Sequence, residues 1–371
     1  MDLQRETPHT FLGLDGIRGA AALVIVFWHA EPLFGFYPKS GYLAVDLFFA
    51  LSGFVLAHAY DRKFEAGMGV SDFMRLRLIR LYPLYFLAFV VMMGALLGSV
   101  ALGQHVKWTP EMLTVSGLLS LFFMPTPSGM GANDWIYPLN GPAWSLGYEI
   151  FINLIFVLTW RFLSTKTLVA VVIIAGAALI IDAAAYGSLD VGSQWVTAAG
   201  ALPRVFFSFP LGILLLRLHR RRTFRISVGS LSPILVVVGL LLVDPPPALR
   251  VFYDVFCVIA AFPLLILLAA RTHPQKLASA YAFLGVISYA VYVLHVPILT
   301  IITRALAKMA HGNPQVGWPW VGIGFVATAV LAAYLADLAY DQPARKWLSG
   351  KTKRRTVLAT NSRLAVGAEE T

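Results

Sequence analysis

Ten runs of roughly twenty mostly apolar residues recur along this chain of 371 residues, and they leave it few ways to fold. As a helix, each run matches the thickness of a bilayer's hydrocarbon core, about 30 Å. The runs lie at 12–34, 42–60, 81–103, 143–162, 168–186, 196–216, 226–243, 251–270, 281–303 and 317–340. Charged residues make up 13% of the chain, about half the usual share in soluble domains. The apolar excess covers the whole length, with a mean hydropathy of +0.73. The expectation is an all-α polytopic membrane protein of about ten transmembrane helices. It forms one domain over 1–345, followed by a basic, disordered cytoplasmic tail over 346–371.

Charge sets the direction of the spans. A net charge of +10 would suggest nucleic acid as partner for a soluble protein. Here the basic residues sit in short segments between apolar runs, as topology signals do, so the bilayer is the expected partner and nucleic acid is not. With both termini cytoplasmic and 111–124 not crossing, 22 of the 29 Lys and Arg fall inside the cell. If 111–124 crossed, the basic cluster at 217–225 would land outside, against the positive-inside rule. The run 111–124 is therefore expected as a short re-entrant or interfacial helix. The expected location is the cell (inner or plasma) membrane, with many passes. The lone cysteine, Cys257, lies in an apolar run and reads as a small hydrophobe.

Ionisable residues inside spans are costly and mark function or a buried partner. Arg18 and His29 lie eleven residues apart on the first run, which puts them on one helix face, about 16 Å apart along the axis. Asp15, one turn before Arg18, can neutralise it. Asp46 and Glu149 each fall early in a span entered from outside, at the depth expected for His29. An imidazole flanked by carboxylates suits general-base chemistry on a hydroxyl. The competing reading is a polar network that only ties helices together. Arg77 and Arg80, three apart, could meet phosphate oxygens or serve only as topology signals. Arg204 sits mid-span, where topology needs no charge. The histidines lack metal-ligand spacing, so no metal is expected.

These residues also form motifs. Leu14-Asp15-Gly16-Ile17-Arg18-Gly19 with His29 resembles the Arg-x10-His signature of acyltransferase family 3. So do Val45-Asp46 through Phe54, Arg77-x-x-Arg80-x-x-Pro83, and Trp144-Ser145-Leu146-Gly147-Tyr148-Glu149. Leu284 to Tyr289 with His295-Val296-Pro297 is similar to the family's late helix. The resemblance runs from about residue 11 to 345, in order and spacing.

It implies transfer of an acyl group, usually acetyl, from cytosolic acyl-CoA to a hydroxyl, most often on a sugar of a glycan, glycolipid or secondary metabolite. By that likeness Arg77, Arg80 and Arg18 would hold the donor and His29 would be catalytic, with Asp46 and Glu149 supporting it. Trp144, Ser145, Tyr148, Arg204, Ser52 and His295 would line the substrate path. An acyl intermediate on His29 or Ser52 is a variant of this scheme. Some family members carry a C-terminal SGNH-type hydrolase domain; a basic tail is expected here instead. A secondary transporter using the buried Asp, Glu, Arg and His as a relay is the rival reading, although no internal repeat is visible.

Overall fold

Eleven helices carry the architecture seen in the computed structural model, which describes residues 11–103, 107–221, 229, 231–309, 315 and 317–350. In chain order they are α1 Leu12–His29, α2 Ala44–Glu65, α3 Val70–Ala101 and α4 Pro110–Leu121. There follow α5 Ala143–Thr159, α6 Thr165–Tyr186, α7 Ala201–Arg221 and α8 Ser232–Leu242. The last three are α9 Pro247–Ala269, α10 Ala278–Met309 and α11 Trp320–Gly350, each containing or joining shorter turns. Among the described residues nine helices are long and apolar enough to cross a membrane. Large apolar side chains such as Ile173, Ile174 and Ile181 of α6 point outward, where lipid tails rather than water meet them.

Contacts at the two ends of the bundle show how the chain alternates. At one end Arg220 closes α7 on Asp61 of α2 at 3.0 Å, and the rings of Phe11, His58 and His219 meet within 5.6 Å. At the other end Ser40 donates to the Val243 carbonyl at 2.8 Å, and the Trp318 indole donates to the Phe34 carbonyl at 3.1 Å. Among the described residues the chain makes nine long passages between these ends, with the short α8 between α7 and α9. The passage expected at 226–243 contains only the eleven-residue α8, about 16 Å of helix. Residues 226–228 and 230 of that run lie outside the described residues.

The expected short helix is α4. Thr109 caps it by accepting from the Met112 amide at 3.2 Å, and Pro110 opens it, where its missing N–H costs nothing. Trp108 packs beside Met92 and Leu96 of α3, while Tyr85 and Tyr82 donate to the carbonyls of Ser120 and Leu121 at 2.7 and 2.9 Å. The helix thus descends alongside α3 and the chain turns back through 122–142 to enter α5 from the same end. At twelve residues it is too short to span.

Two expected boundaries move. The segment 61–80 is not a loop: α3 begins at Val70, so Arg75, Arg77 and Arg80 are helical. Acidic partners on other helices, described below, satisfy two of these three cations inside the bundle. At the far end α11 continues to Gly350, past the expected domain limit of 345; residues 351–371 of the expected tail lie outside the described residues.

Close helix approach depends on small residues. A Cβ on Gly19 would strike the Leu284 carbonyl, and one on Gly53 would strike that of Phe209. Removing these side chains lets α1 lie against α10 and α2 against α7, which draws Arg18 and His29 onto one flank of α10.

Candidate active site

Between α1, α2, α3, α5 and α10 lies a cavity of about 210 Å³. Its apolar wall comes mainly from α2, including Phe48 and Val55, and its polar groups come from all five helices. Ser145 and Glu149, four apart on α5, face it together, as one helix face requires. Glu149 Oε1 accepts from Arg77 Nη2 at 3.0 Å and from Ser52 Oγ at 3.1 Å. Arg18 donates to Asp15 at 2.7 Å, to the Gly285 carbonyl at 3.2 Å and to Ser288 Oγ at 3.0 Å. Arg80 lies 3.5 Å from Asp341 of α11 and over the Tyr289 ring at 5.5 Å.

Exposure gives the cavity a direction. The Arg18 and Arg80 side chains are 33% and 35% exposed, against 13% for Arg77. Arg18 and Arg80 therefore mark the mouth, and Arg77 with Glu149 lies inside. At the inner end the Ser145 and Tyr292 hydroxyls meet at 2.7 Å. On the α2–α3–α5 side, Tyr60, Phe64, Phe73, Phe156 and Trp160 pack ring to ring at centroid distances of 4.9–6.1 Å.

Three residues beyond Tyr292, His295 is fully buried, its ring 6.2 Å from the Tyr292 ring. Its Nε2 lies 3.1 Å from Nδ1 of His29. His29 Nδ1 is also 3.0 Å from the Ile25 carbonyl, and His295 Nδ1 is 2.9 Å from that of Val291. Trp28 stands edge-on to His29 with ring centroids 4.6 Å apart. His29 is half-buried.

Several residues sit elsewhere than the sequence suggests. Asp46 does not face His29: both its oxygens accept from Arg204, at 2.7–3.2 Å. Arg204 also donates to the carbonyls of Val191 at 2.7 Å and Tyr42 at 3.0 Å, and its guanidinium lies over the Trp144 ring at 5.5 Å. Asp46, Arg204 and Trp144 thus form a buried knot outside the cavity lining. A buried arginine needs a carboxylate and carbonyls to offset its desolvation, and these three elements provide them. Tyr148 donates to the Ala198 carbonyl at 3.0 Å rather than facing the cavity. Glu149 meets Arg77 and Ser52 instead of His29. Ser52 and Ser145 do line the cavity.

The residues missed by sequence reasoning are partners: Ser288 for Arg18, Asp341 for Arg80, Tyr292 for Ser145. Ser288 and Tyr292 are polar residues in an apolar run, and that was the available signal; Asp341 stands just past the end of the last run. What sequence could not supply was which helix each one meets.

Charged and hydroxyl groups gathered around one cavity, inside a bundle otherwise faced with apolar side chains, belong to a polytopic membrane enzyme. The chain belongs to acyltransferase family 3, matching its acyltransferase domain over residues 11–337. It is a multi-pass acyltransferase of the cell membrane. It is 40% identical over 192 residues to "Protein 2 in picA locus" of Rhizobium radiobacter, covering 50% of this chain and all of that protein. It is 30% identical over 164 residues to the "Exopolysaccharide production protein ExoZ" of Rhizobium meliloti (strain 1021), covering 42% of this chain and 48% of that one. With "Acyltransferase MdmB" of Streptomyces mycarofaciens it shares 27% identity over 357 residues, 86% of each chain. No solved structure matches it.

Proposed function

We propose that the protein moves an acyl group, acetyl in the simplest case, from cytosolic acyl-CoA to a hydroxyl on a sugar of a cell-surface glycan, glycolipid or secondary metabolite. The observation that carries this reading is the cavity itself. Two arginines stand at its mouth, hydroxyls lie at its inner end, and a histidine pair begins one helical turn beyond. The printed name of the exopolysaccharide production relative supports a carbohydrate acceptor.

In this reading the CoA phosphates rest on Arg80 and Arg18, whose planar guanidinium groups suit phosphate oxygens. Arg77, held by Glu149, faces the donor further in. The pantetheine arm runs through the cavity past Ser145 and Tyr292 and covers the eleven residues from Arg18 to His29, about 16 Å. His29 takes the proton of the acceptor hydroxyl on Nε2 as its oxygen attacks the thioester carbonyl carbon. The C–S bond then breaks, and the CoA thiolate takes the proton back from the imidazolium. Asp46 acts at a distance, through the knot that holds α2 against α7.

The test is transfer of labelled acetyl from acetyl-CoA by the purified protein in nanodiscs, with a sugar-bearing acceptor lipid or polysaccharide. His29→Ala should cut transfer by about 10²–10⁴-fold, the range for losing a general base, while the protein still inserts and binds CoA. Near-normal transfer by folded His29→Ala protein would remove His29 from the mechanism. Absence of label transfer by the wild type to any hydroxyl acceptor would overturn the reading as a whole.

A further inference from the structure

A carbonyl oxygen can only accept, so the nitrogen that faces it carries the proton. Nδ1 of His295 faces the Val291 carbonyl at 2.9 Å. The neutral ring therefore has its proton on Nδ1 and a bare lone pair on Nε2. That lone pair points at Nδ1 of His29, 3.1 Å away. Nδ1 of His29 in turn faces the Ile25 carbonyl at 3.0 Å, so it is the donor in both contacts. The one proton on His29 Nδ1 is shared between a carbonyl on its own helix and an imidazole on α10. Nε2 of His29 is left bare, with no hydrogen-bond partner among the described residues. This is the tautomer that free histidine populates less in water, and it places the basic nitrogen on the side away from both partners.

We infer that His295 is the positioning residue for His29. Its uncharged Nε2 does the work usually given to a carboxylate, fixing the ring and receiving the Nδ1 proton's hydrogen bond when His29 becomes an imidazolium. The inference rests on the proposed role of His29 as base. The bond ties α1 to α10, whereas the Ile25 bond lies within α1 and leaves the ring's tilt to its own side-chain torsions. A neutral acceptor also suits the location. A carboxylate there would be a buried charge without a cation beside it, which is costly.

Several charged groups on the helices around the pair are engaged with other partners. Asp15 and Arg18 hold each other lower on α1. Asp46 of α2 is on Arg204 of α7, and Glu149 of α5 is on Arg77 of α3. On α9, Arg250 is on Asp244, and Asp254 accepts from Tyr42. Tyr292, 6.2 Å from His295 ring to ring, is hydrogen-bonded to Ser145.

Two measurements test this. The first needs no variant and no activity: nitrogen NMR of the full-length protein, with ¹⁵N-labelled histidine, in nanodiscs. At neutral pH both His29 and His295 should show protonated Nδ1 and bare Nε2. A proton on Nε2 of either ring overturns the inference, whether or not the protein proves to be an acyltransferase. The second is kinetic. His295→Leu should lower kcat by about 10–100-fold, as when a supporting hydrogen-bond partner of a functional histidine is lost, with KM for acetyl-CoA unchanged. His295→Gln carries an amide oxygen close to the position of Nε2 and should recover most of the loss. His295→Glu should move the acidic limb of the rate profile to higher pH, because a carboxylate beside His29 favours its protonated form. Equal losses in the Leu and Gln variants, a loss confined to KM, or an unmoved limb in an active, folded Glu variant would each make His295 a packing residue. A dead His29→Ala beside an unaffected His295→Leu would sink this inference and leave the proposed function standing.

Discussion

Ser52 shows how a single hydrogen bond narrows the chemistry. Its hydroxyl donates to the Glu149 oxygen that also holds Arg77. The same oxygen serves the guanidinium and the hydroxyl, so the Ser52–Glu149 contact reads as part of the Arg77 ion pair and Ser52 is not set up as a nucleophile. Ser52→Ala should therefore keep transfer within about tenfold of wild type, the cost of one hydrogen bond of roughly 0.5–1.5 kcal/mol; complete loss in a folded variant would reinstate an acyl-serine route. Glu149→Gln is the harsher change. It leaves Arg77 without a counter-charge inside the cavity, and kcat/KM with acetyl-CoA should fall at least tenfold, since hydrogen bonds to charged groups are worth about 1.5–3 kcal/mol. The Asp15–Arg18 contact at i,i+3 was readable from the sequence because helix geometry alone sets it. The partner of His29 was not readable. Periodicity says which face of α1 the histidine occupies, but the residue across from it lies 266 positions away, and only tertiary packing brings it there.

At the scale of elements, the contact between α2 and α7 rests on a close approach at Gly53 and on the Asp46–Arg204 pair, each side chain only 1% exposed. Removing one member strands the other. Asp46→Ala should destabilise the protein by about 3–5 kcal/mol, seen as a clear drop in melting temperature in detergent. Replacing both, as Asp46→Leu with Arg204→Met, should recover most of it, because a well-packed apolar pair often equals a buried ion pair. If the double variant is as unstable as the single one, the carbonyls of Tyr42 and Val191 rather than the carboxylate hold this joint. A charge in an apolar run was visible beforehand, and so was the likelihood of function that such charges carry. Its reassignment to structure came from geometry: Arg204 spends its donors on Asp46 and two carbonyls, and none faces the cavity.

For the whole molecule, length and hydropathy were enough to find nine of the ten expected passages among the described residues, and charge was enough to expect α4 as a helix apart from them. Residues 226–243 are a different matter, since hydropathy does not reveal where a helix starts or stops and α8 proves to be eleven residues long. The same blindness put 61–80 in a loop, because three arginines outweigh their apolar neighbours in any hydropathy window while their salt bridges lie on distant helices. Which end of the bundle faces the cytoplasm follows from the positive-inside rule. Reporter fusions at Glu65 and Arg221 should report cytoplasm, and fusions at Met130 and Asp244 the outside. A cytoplasmic signal at Met130 would mean that α4 crosses after all and would overturn the charge argument. The five rings of Tyr60, Phe64, Phe73, Phe156 and Trp160 bear on the energy economy of the cell that houses this bundle. A slot bearing arginines and a carboxylate, set within an energised bilayer, is halfway to being a proton leak. Three of the five side chains are phenylalanines, which have no exchangeable proton to pass along, and the rings pack stacked or edge to face at centroid distances of 4.9–6.1 Å. An acyltransferase built into the cell membrane must work without draining the ion gradients that power everything else, and a wall of packed rings serves that end.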